Sequence, residues 1–161
     1  METSGPEQVA EDNDDDDWGM GALRGRRKAR ALALQALFEV DASGHTAEAA
    51  LTWILAENEA SPRTQAFIRV LVNGVGEHVS DLDQQIQRFA PTWPLSQLAL
   101  VDRNILRLAI FELTVDQQAP PKAVINEAIE LAKLFGGDSA PRFVNGVLGA
   151  LMESLAESPK E

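Results

Sequence analysis

The chain has 161 residues, of which 45% are hydrophobic, with no cysteine, two histidines and a formal net charge of −11. That length suits one domain with a real core, and the missing cysteines exclude disulfides, thiol catalysis and cysteine-ligated zinc or iron–sulfur centres. No apolar run approaches the ~20 residues of a membrane span, and the acidic start lacks a basic-then-apolar leader pattern, so a soluble cytoplasmic protein is expected.

The charge is unevenly spread. Residues 1–17 hold eight acids (Glu2, Glu7, Glu11, Asp12 and Asp14 to Asp17) and no Lys or Arg. Five of the fourteen basic residues follow at once: Arg24, Arg26, Arg27, Lys28 and Arg30. The remainder is only mildly acidic. Residues 1–23 show no apolar periodicity and cannot bury enough surface to offset ordering entropy, so a disordered acidic tail is expected there. A short flexible end is expected at 157–161.

Helical periodicity then runs through the chain. Lys28 to Ala42 carries Ala29, Leu32, Ala33, Ala36, Leu37 and Val40 on one stripe, and Gly44 suits a stop. Ala47 to Asn58 forms a second helix. Ser61-Pro62 reads as a cap followed by proline in the first turn. The next stripe joins Ile68, Leu71, Val72, Val75, Val79, Leu82, Ile86 and Phe89, with Ser80 as a point where it could divide. Pro91 and Pro94 punctuate the chain before Leu95 to Asp116, whose apolar surface is wide enough for a central helix. Lys122 to Phe135 follows and Gly136-Gly137 closes it. Asp138 or Ser139 caps a last helix with Val144, Val147, Leu148, Leu151 and Leu155 on its stripe. Asn126 and Asn145 sit inside helices although Asn is a poor helix former, which favours hydrogen bonding between helices; Gly146 reads as a close-packing position.

Chemistry is sparse. His45 and His78 lie in no catalytic signature. Glu127 and Glu130 share a helix face, but no Glu-x-x-His pair accompanies them, so a helical di-iron site is not indicated. Glu127 reads as solvated or salt-bridged, and Asp102, Arg103 and Arg107 as ion-pairing residues. No phosphate-binding glycine loop is present. The chain reads as a non-enzyme without a cofactor or metal. The basic cluster is the stronger lead. At the start of a helix its cations oppose the dipole, a small cost that an anionic partner compensates. Arginine meets phosphate bidentately and stacks on bases. If all five basic residues contact single-stranded RNA, the salt slope is about −3.5.

Four stretches carry a resemblance: RRKARALALQALFEVDASG at 26–44, VDRNILRLAIFEL at 101–113, PKAVINEAIELAKLFG at 121–136 and FVNGVLG at 143–149. In this order and spacing the chain resembles the NusB family of bacterial transcription antitermination factors over roughly residues 24–155. The resemblance implies an all-α fold of six or seven helices in two packed bundles, about 24–89 and about 95–156. It also implies a binding function: with NusE, a small-subunit ribosomal protein, the family recognises boxA single-stranded RNA and acts on the elongating RNA polymerase so that it reads through terminators, chiefly in ribosomal RNA transcription. The family's arginine-rich motif matches Arg26, Arg27, Lys28 and Arg30, and Arg24 extends it by charge. Its RNA surface continues onto Phe135, Asp138, Ser139, Arg142 and Phe143. Asp102 and Phe38 match positions on the NusE side. Phe38 and Phe111 stand where tyrosine is usual, and Gly149 where an acid is usual. The alternatives are a helical protein-binding adapter without specific RNA recognition, a helical DNA-binding regulator, and a module of an RNA-modifying enzyme. A homodimer is left open.

Overall fold

The structure, a computed structural model, describes residues 20–157, with side chains from Arg24 onward. The expected acidic tail over residues 1–19 and the last four residues lie outside the described part. Six α-helices follow one another among the described residues: α1 Met20–Ser43, α2 Ala47–Glu57, α3 Pro62–Phe89, α4 Leu100–Phe111, α5 Pro121–Phe135 and α6 Ala140–Glu157. There is no strand among the described residues, and none of their helices is long and apolar enough to cross a membrane.

The local signals act as their chemistry requires. Gly44 takes φ +75 and its N–H returns to Val40 O at 3.0 Å, ending α1 in the left-handed conformation that glycine tolerates. Thr46 accepts from Ala49 N to cap α2, and Ser61 accepts from Thr64 N to cap α3 with Pro62 behind it.

Three expectations need correction. First, α1 begins at Met20, inside the expected tail. The basic cluster therefore lies within the helix rather than at its start, and the dipole penalty largely disappears, because the macrodipole acts mainly in the first turn. Second, α3 runs unbroken for 28 residues past Ser80, because Ile68, Leu71, Val72, Val75, Leu82 and Ile86 share one buried stripe. Third, Leu95–Asp116 is not one helix. A short 3-10 turn, Leu95–Gln97, precedes α4, and a wider π turn, Glu112–Asp116, follows it. Gln87 holds the first break by accepting from Leu95 N–H at 3.0 Å and donating to Trp93 O at 2.8 Å. The π turn closes where Gln117 adopts φ 53 and its N–H reaches Glu112 O at 2.9 Å.

Helices α1, α2 and α3 pack on one another, as do α4, α5 and α6, while α4 also packs on α1 and α3. The buried residues form one continuous core. Eight consecutive residues of α4, Asn104 to Phe111, are buried, which is the burial of a central helix. Arg107 crosses this junction. Its Nε and Nη2 donate to both oxygens of Asp83 on α3 at 2.6 and 2.9 Å, and Nη1 donates to Asp41 on α1 at 2.8 Å. Asn104 donates to the same Asp41 oxygen at 3.0 Å. One guanidinium thus ties three helices.

Close backbone packing falls on Gly74 rather than Gly146. A Cβ at Gly74 would lie 2.2 Å from Phe111 Cζ, whereas one at Gly146 meets nothing within 4 Å. Asn126 and Asn145, expected to bond between helices, are both exposed, because their positions fall on the solvent faces of α5 and α6.

Candidate nucleic-acid interface

Helical periodicity sorts the basic cluster into two sets. Arg24, Arg27 and Lys28 point outward and are exposed, and Arg26 is half-buried. Ala29 and Arg30 turn inward, and Arg30 is only 6% exposed. Arg30 donates through Nε and Nη2 to the two oxygens of buried Glu112, both at 2.8 Å, and stacks 5.6 Å over the Phe67 ring. Its guanidinium is committed inside the fold, so the expectation that it meets phosphate is corrected: an outward turn would strand the Glu112 carboxylate in the core. Without it, four basic residues remain and the salt slope falls to about −2.8.

Arg27 is held in place from across the fold. Nη2 and Nε donate to Glu127 Oε1 and Oε2 on α5 at 2.8 and 3.1 Å. This hydrogen bond, with the Arg27 charge, holds the Glu127 carboxyl below the usual range against the effect of its partial burial. Glu127 is therefore the salt-bridged residue that its sequence context allowed. Lys28 Nζ donates to the Glu59 carbonyl. Arg26 lines a cavity of about 250 Å³ with Arg63, Thr64, Phe67, Glu112 and Asp116. Burial, then the Glu112 charge, push the Asp116 carboxyl up, while Arg26 and Arg30 oppose that shift.

The second group of expected residues gathers where α5 hands over to α6. Glu127 and Leu134 lie seven residues apart, which places them on one face of α5 about 10 Å apart along the axis. Leu134 is 71% exposed and Phe135 43%. The Gly136 N–H bonds Ala132 O at 2.9 Å, and Ser139 O accepts from Phe143 N at 3.1 Å to open α6. A side chain at Gly136 would sit 2.5 Å from Ala140 Cβ, so glycine there serves a close approach. Asp138, Ser139 and Arg142 are exposed. Phe143 is half-buried against the core. The two aromatics thus differ in exposure: Phe135 is exposed, and Phe143 is half-buried.

Asp102, expected on the protein-partner side, shares a cavity of about 420 Å³ with Ser139, Arg142 and Phe143. Its Oδ1 is buried without a hydrogen-bond partner among the described residues, and burial pushes its carboxyl up. Arg103, read as ion-pairing, instead donates through Nη2 to the Leu95 and Leu98 carbonyls at 2.8 and 3.2 Å. Trp93, Gln97, Leu98 and Ala99 complete that cavity, and Trp93 is 53% exposed. Sequence reasoning passed over Trp93, although a tryptophan between Pro91 and Pro94 is the signal of an aromatic held in a turn. Phe38 is 40% exposed on α1.

His45 pairs with Glu39 at 2.8 Å, and His78 Nδ1 lies 2.9 Å from Gly74 O. Among the described residues no group of three His, Asp or Glu is placed to hold a metal ion. The surface that results is a basic helix face beside an exposed aromatic turn, which suits phosphate contact and base stacking.

The profile of the NusB family matches residues 27–153. The transcription antitermination protein NusB of Dehalococcoides mccartyi (strain CBDB1) is 48% identical over 136 residues, covering 84% of this chain and 95% of the relative. That of Roseiflexus sp. (strain RS-1) is 47% identical over 137 residues, covering 84% and 96%. Among solved structures, NusB of T. maritima superposes with a TM-score of 0.74 at 35% identity, covering 80% of this chain and 90% of that one. A crystal structure of antitermination factors NusB and NusE in complex with dsRNA gives a TM-score of 0.76 at 27% identity, covering 82% and 98%. With the family profile spanning nearly all of the described residues and relatives matched almost end to end, the chain belongs to the NusB family.

Proposed function

We propose that this chain is a cytoplasmic transcription antitermination factor that binds boxA-type RNA together with NusE and acts on elongating RNA polymerase, chiefly in ribosomal RNA transcription. The observation that carries the reading is the outward face of α1. Arg24, Arg27 and Lys28 are exposed there, and Arg27 is anchored through Glu127 to the α5 face that leads to Leu134 and Phe135. In this reading Arg24, Arg26, Arg27, Lys28 and Arg142 contact phosphate, Phe135 and Phe143 meet bases, and Asp138 and Ser139 border the RNA. Arg30 acts as a positioning residue through Glu112. Phe38 and Asp102 face NusE.

The test is fluorescence anisotropy of labelled boxA RNA, a scrambled single strand and a duplex, titrated with and without NusE at two salt concentrations. Preferential boxA binding that NusE strengthens is expected. Equal, salt-labile binding of all three RNAs would overturn the reading. Binding of NusE without any RNA affinity would leave a protein-binding adapter.

A further inference from the structure

We propose that the chain's own acidic segment, Glu2 to Asp17, docks on the outward basic face of α1 and competes there with RNA. Three observations carry this, and the competition rests on the RNA reading above. The first is charge. The segment holds eight acids and no base, and the first acid of α1 itself is Glu39. Among the described residues, Glu127 neutralises Arg27 and Glu112 neutralises Arg30, while Arg24, Arg26 and Lys28 are in no ion pair. Arg24 and Lys28 are thus exposed with no carboxylate partner among the described residues, and a dense run of carboxylates stands in the sequence just before them.

The second is placement. Helix α1 starts at Met20, so only Trp18 and Gly19 separate Asp17 from it. Along a helix Arg24 is about 6 Å and Lys28 about 12 Å beyond Met20. Seventeen residues span up to ~55 Å when extended, so the segment reaches the whole basic face. Tethering at this range gives an effective concentration on the order of millimolar. The third is that the segment lies outside the shared module, whose family match begins at residue 27. Among the described residues the buried core runs from Ala29 to Leu151.

The test compares three proteins by anisotropy with single-stranded boxA RNA: the full chain, the full chain carrying Asp14→Asn, Asp15→Asn, Asp16→Asn and Asp17→Asn, and a chain lacking residues 1–17. Both altered proteins are expected to bind about 3–10-fold tighter than the full chain at ~50 mM salt, with the gap closing to under twofold at ~200 mM, because salt screens the competitor as well. In parallel, a synthetic peptide of residues 1–17 is added to the shortened chain. Shifts of the amide signals of residues 24–28 that salt reverses are expected. Equal RNA affinity of all three proteins at low salt, with no peptide-induced shift, overturns the proposal. Peptide-induced shifts in a protein that binds no RNA in any form would support the docking and overturn the RNA reading instead.

Discussion

Arg30 and Glu112 stand 82 positions apart and meet in a bidentate pair with both donor–acceptor distances at 2.8 Å. The pair ties the basic segment of α1 to the π turn after α4. Both partners are buried, so removing one leaves an uncompensated charge. Arg30→Ala is expected to cost about 3–5 kcal/mol of stability, read as a drop in melting temperature. Arg30→Met combined with Glu112→Leu should recover most of that loss and keep RNA affinity within about twofold, because only positioning is removed. A refolded double variant that binds RNA tenfold worse would return Arg30 to the RNA contacts.

Glu127 partly neutralises Arg27, so Glu127→Gln should tighten RNA binding about 2–3-fold at low salt and leave stability within ~1 kcal/mol. The acid response follows from the lowered Glu127 carboxyl, whose cause is the Arg27 hydrogen bond. A depressed folded value contributes stability above the ordinary carboxylate range, and that contribution is lost as pH falls through the lowered value. Melting curves of the parent and Glu127→Gln should therefore converge only at strongly acidic pH.

Phe135 and Phe143 separate stacking from packing. Phe135→Ala should lose about 1–3 kcal/mol of RNA affinity, with little change in melting temperature, since the residue is 43% exposed. Phe143→Ala should lower both, because that ring also packs on the core. Equal RNA affinity of Phe135→Ala and the parent would remove stacking at that position.

Gly74 faces the Phe111 ring with no room for a methyl group. Gly74→Ala is expected to destabilise by about 1–3 kcal/mol through overpacking between α3 and α4. Adding Phe111→Leu should restore part of the loss, and a double-mutant cycle measures the coupling.

Asp102 carries the opposite pH sign to Glu127. Burial raises its folded value, so the folded chain holds the proton more tightly than the unfolded one. That contribution is full below about pH 4 and is lost as pH rises through the raised value. Asp102→Asn should raise the melting temperature at pH 7 by a few degrees, on the order of 1 kcal/mol, and much less near pH 4. An equal gain at both pH values would show that burial of charge is not the cause.

Local signals decided much of this molecule. The apolar stripes placed four of the six helices, α2, α3, α5 and α6, to within a few residues, Thr46 needed no tertiary help to cap α2, and Ser61-Pro62 opened α3 as its side-chain chemistry dictates. The basic cluster itself was likewise legible, because charge is a property of neighbours in the chain, whereas Phe135 entered only through the family resemblance. What the chain alone did not reveal was the fate of individual polar groups. Arg30 and Lys28 are both cations in one helix, yet a rotation of 200° between them sends one to Glu112 in the core and leaves the other at the surface. The breaks flanking α4, the space around Gly74 and the burial of Asp102 depend on partners that folding brings from distant segments. Local energetics set the helices; long-range packing and the cost of unpaired buried charge decided which side chains remain available to a ligand.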